Sequence, residues 1–231
     1  MRRLLPLALC AVLAACQADP PASAPAASAP SRARVFSVPT YTGDFSFVDD
    51  GADDPDFAAF RQRLQDVVVA RDTAALLALV APGARLSFDD APGGPEGVQA
   101  LWFSGSPPPG GTLWDRLAHA LRGGSVAEDG AVTVPFVGGL WPPDADPFGA
   151  VALLQPDASA YDAPEGERVA YLSQIIVPVV APPLDGWWQV RLPAGEPAFV
   201  AAADVYSPVG YRATFWDDGA GWRLQSFVAG D

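Results

Sequence analysis

The sequence predicts an α+β protein with a helix-bearing body, a small β-barrel and a closing hairpin, and three observations carry that prediction. Between Asp54 and Gly124 apolar residues recur at helical spacing, with capping chemistry at the starts and Pro or Gly at the ends. From Gly149 to Tyr206 they come as short runs: Ala150 to Leu154, Val169 to Leu172, Ile175 to Val180, Trp187 to Leu192 and Ala198 to Val200. Each run is bounded by Gly, Pro, Asp or Ser, which is strand-and-turn patterning. After Ser207-Pro208, two alternating runs flank the turn Asp217-Asp218-Gly219-Ala220-Gly221.

The chain opens with Met1-Arg2-Arg3, an apolar run from Leu4 to Leu13, and small residues before Cys16. That order of charge, apolar core and small-residue site is a secretory signal over residues 1–15, and the run is too short to span a bilayer. Leu13-Ala14-Ala15-Cys16 resembles the bacterial lipoprotein box. The resemblance implies cleavage before Cys16 and acylation of its thiol, which makes Cys16 the lipidation site and the membrane anchor. Two or three acyl chains, at about 0.8 kcal/mol per buried methylene, hold a protein on a bilayer far more firmly than one. With Gln17 and not Asp after the cysteine, the resemblance to Gram-negative lipoproteins implies the outer membrane, facing the periplasm.

Cleavage removes Arg2 and Arg3, so the formal charge of −13 becomes −15 in the mature chain. Such a balance repels nucleic acid and anionic head groups, so no nucleic-acid partner is expected. Cys10 is discarded and Cys16 acylated, which leaves no disulfide. Residues 16–34 are almost wholly Ala, Pro and Ser. They cannot bury enough surface to fold, and at about 3.1 Å per extended residue they form a tether several tens of Å long.

Residues 35–148 read as the helical α+β body. Asp49, Asp50, Asp53, Asp54 and Asp56 raise a calcium reading, but their spacing does not match a calcium loop. A solvated loop ending in an N-cap at Asp54-Pro55-Asp56 accounts for them better. Phe57, Phe60, Leu64, Val67 and Val68 share one side of the first helix. Asp72 caps a second helix carrying Leu76, Leu77 and Val80, followed by a strand at Arg85 to Phe88 and a short helix over Pro95 to Phe103. Thr112 and Asp115 open a helix with Leu113, Trp114, Leu117 and Leu121 on one face and Gly123-Gly124 at its exit. His119, the single histidine, projects from the opposite face and reads as a surface residue. Ala131 to Val137 is strand-like, with Pro135 marking an edge or bulge.

Within residues 149–206, Asp185-Gly186-Trp187-Trp188-Gln189-Val190, then Gly195-Glu196-Pro197-Ala198-Phe199-Val200 and Asp204-Val205, resemble the bacterial SH3-like domains of cell-envelope proteins. The resemblance covers about a quarter of the chain, with Phe199 where a Trp usually closes the motif. It implies a shallow groove lined by aromatics between the first long loop and the Trp strand. The ligand-binding candidates are Trp187, Tyr161, Tyr171 and Tyr206. Alternation puts Trp188, Val190 and Leu192 inside and Trp187 on the other face. Asp162, Glu165 and Glu167 beside it favour a basic or neutral partner.

Residues 207–231 form the hairpin, with Tyr211, Ala213 and Phe215 alternating against Arg212, Thr214 and Trp216. Its close, Gly221-Trp222-Arg223-Leu224-Gln225-Ser226-Phe227, resembles the last strand pair of NTF2-like cones. That resemblance would make the barrel an insertion; an extension of the barrel's own sheet fits the hairpin equally.

No catalytic constellation is present: the mature chain lacks a free thiol, a Cys/His cluster, a G-x-S-x-G elbow and a phosphate-cradling loop. The expectation is a non-enzymatic, lipid-anchored envelope protein without metal or cofactor, binding peptide, peptidoglycan or an envelope protein. The alternative is an NTF2-like pocket for a small molecule, with hydrolase or isomerase chemistry from Asp89 or Asp90.

Overall fold

Two β-sheets, one of eight strands and one of five, organise the chain in the computed structural model, which describes residues 34–36, 45–88, 91–104 and 111–230. In chain order the elements are β1 (Arg34–Phe36), α1 (Pro55–Ala70), α2 (Thr73–Ala78), β2 (Val80–Arg85), α3 (Gly94–Val98), α4 (Leu113–Leu121), β3 (Val126–Glu128) and β4 (Ala131–Val134). There follow β5 (Ala150–Leu153), β6 (Ala158–Tyr161), β7 (Arg168–Leu172), β8 (Ile175–Leu184), β9 (Trp187–Arg191), β10 (Pro197–Ala201), β11 (Val205–Tyr206), β12 (Arg212–Asp217) and β13 (Trp222–Val228). The described residues all belong to one compact unit. The proposed signal, Cys16, nearly all of the tether, and Asp89 and Asp90 lie outside the described residues.

The helices form where the chain supplies caps. Asp54 accepts hydrogen bonds from the N–H groups of Asp56 (2.9 Å) and Phe57 (3.0 Å), Pro55 occupies the first turn, and Arg71 ends α1 with φ 53°. The helix buries Phe57, Phe60, Leu64 and Val68, spaced three and four residues apart. At α4, Thr112 and Asp115 exchange side-chain and backbone hydrogen bonds in a capping box, and Leu113, Trp114, Leu117, Ala120 and Leu121 are buried. Both faces meet Val132, Val134, Phe215, Leu224 and Phe227 of the five-stranded sheet, whose order is β2-β13-β12-β4-β3. The hairpin β12-β13 thus lies at the centre of that sheet, paired with β4 on one side and β2 on the other.

A hydrogen-bonded latch fixes the start of this unit. Fully buried Ser125 donates to Asp49 Oδ1 (2.6 Å) and accepts from Gly51 N–H (2.9 Å), while Arg61 of α1 also binds Asp49. Burial pushes the Asp49 carboxyl up, but the bonds from Arg61 and Ser125 and the Arg61 charge outweigh it and hold it below the usual range. Asp50 accepts from Ala127 N–H at 2.9 Å. Three of the clustered aspartates, Asp49, Asp50 and Asp54, therefore have structural work.

The eight-stranded sheet has the order β1-β7-β6-β10-β9-β8-β5-β11. Val151, Leu153, Ala160, Leu172, Val177, Val190 and Val200 come from six of its strands yet share one core, so the sheet curls over its own inner face. Ala150, Ala152 and Ile176 point to the other side and pack with Phe45, Phe136 and Tyr206. Both faces of β5 are covered, which explains its unbroken apolar run.

The expected α+β fold with a small SH3-like barrel is corrected in two respects. Among the described residues the chain is mostly β, because only α1 is a long helix and α2, α3 and α4 span 6, 5 and 9 residues. The curled sheet is also not a closed barrel. Closure needs the outermost strands to pair. Here β7 gives its outer edge to β1 in parallel, and β5 gives its own to β11.

Candidate functional site

Alternation along β9 sends its two tryptophans to different sites. Trp188 and Val190 face the inner core, whereas Trp187 and Gln189 face outward. The turn between β8 and β9 is Asp185-Gly186, both residues with positive φ (49° and 82°), the backbone that a two-residue hairpin requires. Register aligns Tyr161 with Phe199 and Phe199 with Gln189, so an outward row crosses β6, β10 and β9. The Tyr161 and Trp187 rings meet edge to face, 5.5 Å apart and at 87°.

Beside this pair is a groove of about 390 Å³ whose walls include Trp187, Phe199, Pro182, Leu184, Glu165 and Asp185. Leu184, at the edge of the groove, is 72% exposed. Asp162 binds Glu167 N–H at 2.9 Å and closes the acidic loop that carries Glu165. The groove is apolar on its floor and acidic at its rim.

The structure brings Tyr161 and Trp187 together but separates the other two candidate aromatics. Tyr171 is half-buried on the outer face, with the Arg168 guanidinium 4.3 Å from its ring centre, and lines a different cavity with Asp157 and Ser159. Tyr206 is only 2% exposed and belongs to the core under β5. Among the described residues, no three His, Cys, Asp or Glu side chains gather as a metal site.

A second cavity, of about 510 Å³, lies between α4 and the segment Ala202 to Ser207. Its lining includes Arg116, His119, Arg122, Trp188, Tyr206 and Tyr211. The expectation that His119 is a surface residue is corrected here. Its ring stacks on Tyr206, with centroids 4.2 Å apart and planes at 11°, and its Nε2 lies 3.0 Å from the Val205 carbonyl oxygen. The helical wheel placed it opposite Leu117, but the curled sheet covers that side too. This cavity was missed although a sign of it was legible. Arg116, His119 and Arg122 recur every three residues along α4 in a strongly acidic chain.

Burial holds the His119 imidazole below its ordinary value, against the Val205 carbonyl that favours its proton. As pH falls, the unfolded chain takes up this proton first. The stability from neutral His119 is complete above the ordinary histidine value of about 6.5 and is lost as pH falls below it. Urea unfolding at pH 7.5 and 5.5 should show a smaller drop in midpoint for His119→Gln than for the parent. An equal drop would place the acid sensitivity elsewhere.

Comparison of the chain with family models, curated proteins and solved structures found no match.

Proposed function

We propose that this is a lipid-anchored protein of the bacterial cell envelope, held at the outer membrane through Cys16 and facing the periplasm, that works by binding and not by catalysis. Its contact surface is the outer face of the curled sheet around Trp187 and Tyr161. Its partner is peptidoglycan, through the peptide, or an envelope protein. The single observation that supports this most is the edge-to-face Tyr161–Trp187 pair set against an acidic-rimmed groove of about 390 Å³. Rigid aromatics provide contact area at little entropic cost, and the rim charges suit a basic or neutral group.

The test is retention on purified peptidoglycan, and on immobilised envelope proteins, of the parent and of Trp187→Ala. Loss of a half-buried aromatic anchor should weaken retention by at least about tenfold, since such anchors contribute 2 kcal/mol or more. The unfolding midpoint should change little. Equal retention of the two proteins, or none for either, would refute this surface as the binding face. For the anchor, Cys16→Ala should move the protein from the membrane fraction and abolish labelling by a fatty-acid analogue.

A further inference from the structure

We propose that the cavity between α4 and the segment Ala202 to Ser207 binds a small amphipathic organic anion, its flat apolar body against the aromatic wall and its acidic head toward Arg122. The site is distinct from the Trp187 groove: β9 sends Trp188 to this cavity and Trp187 to the other side.

Size is the first argument. About 510 Å³ falls within the range of cavities that take a drug-sized molecule. Shape is the second. The stacked His119–Tyr206 pair, Trp188, Tyr211 and Val205 supply flat or apolar surface, as a ring system requires. A glycine at the α4 exit, Gly123, lets this wall form. A Cβ on Gly123 would stand 2.7 Å from Tyr206 Cε1, so the close approach of the helix end to the aromatic ring depends on glycine.

Charge is the third argument. The chain carries −13, yet two arginines and one acid line this cavity. The acid, Asp115, already accepts from Thr112 and lies 3.4 Å from Arg71, so its charge is committed to the helix cap. Arg116 lies 4.1 Å from the Tyr211 ring centre, and its Nε donates to the Gly111 carbonyl at 3.2 Å, which holds that guanidinium against the wall. Arg122, at the end of α4, is exposed at the mouth. The acid that competes for it is Asp204, whose carboxyl is raised by burial. A cation beside an apolar wall, at the edge of an acidic protein, favours a ligand whose head is anionic and whose body is not.

The probe pair is 8-anilino-1-naphthalenesulfonate and its uncharged counterpart N-phenyl-1-naphthylamine, which share the flat body and differ in the anionic head. Fluorescence titration of the full chain should show saturable binding of the sulfonate at one site and weaker binding of the uncharged compound. Arg122→Glu should weaken the sulfonate by about tenfold or more, as loss of a charge-assisted contact does, and leave the uncharged compound unchanged. Asp204→Asn should tighten the sulfonate. Ala203→Trp, at an exposed position on the cavity lining, should abolish binding of both, whereas Trp187→Ala should alter neither. Near-ultraviolet circular dichroism of each variant reports that the fold is kept. No binding by the parent, unchanged sulfonate affinity in Arg122→Glu, or undiminished binding in Ala203→Trp would each overturn the proposal.

Discussion

Phe215→Ala is expected to remove about 3–5 kcal/mol of folding stability, the usual effect of emptying a large aromatic site in a core. Phe215 is fully buried in β12, with its ring 5.6 Å from Phe57 and 5.4 Å from Phe60, so it joins the five-stranded sheet to α1. The neighbours are themselves aromatic and held by the helix, so they cannot collapse far into the space. A total stability of about 5–15 kcal/mol is ordinary, so the loss is a large share of it. Chemical unfolding monitored by tryptophan fluorescence should show the midpoint fall while the slope stays near that of the parent. The adjacent Trp216 is 47% exposed on the opposite face, and Trp216→Ala should change stability by much less. Equal losses at the two positions would contradict the orientation of β12.

Gly124→Ala is the second large effect, and it acts through the backbone. Gly124 has φ +68°, and a Cβ there would stand 2.2 Å from the carbonyl oxygen of Val48. That oxygen accepts the N–H of Ser125 at 3.0 Å, in the strap that also carries the Asp49–Ser125–Gly51 latch. A left-handed alanine costs about 1–2 kcal/mol by itself, and moving Val48 adds about 1 kcal/mol for each hydrogen bond it loosens. The expected loss is about 2–5 kcal/mol, measured by the same unfolding experiment. Gly83→Ala is the control, since a Cβ at Gly83 meets nothing within 4 Å and the position needs no positive φ. Near-parent stability of Gly124→Ala would mean that the strap from Phe45 to Gly51 does not hold the end of α4.

Much of the local structure was legible because it depends on neighbours in sequence. The Asp54-Pro55 start of α1, the Thr112–Asp115 capping box and the faces of both helices follow from residues within four positions of one another. The outward placement of Trp187 and the inward placement of Trp188 and Val190 follow from the pleat, whose period of two holds in any sheet. Of the four aromatics offered for one groove, Tyr171 and Tyr206 lie elsewhere. Tyr161 and Trp187 do meet, although nothing in their separation of 26 positions fixes the distance between β6 and β9.

Closure of the sheet was not legible. Short strands bounded by turns look alike in a closed barrel and in a curled open sheet, and the difference lies in which strand takes the last free edge. Here Arg34–Phe36 and Val205–Tyr206 take the two edges, and their partners, β7 and β5, are about 135 and 50 residues away. Likewise, the balance toward β could not be read from helix signals whose helices stay short, as at Thr73–Ala78.

The sequence by itself determined where helices start and stop, which face each amphipathic segment buries, and which of two neighbouring tryptophans points out, because caps and periodicity act over a few residues. Only the tertiary structure decided that the sheet stays open, that His119 is stacked beneath Tyr206, and that Arg116 and Arg122 flank a cavity. Those outcomes depend on contacts between segments up to about 135 residues apart, and such contacts are selected by the packing free energy of the whole chain, which no local pattern encodes.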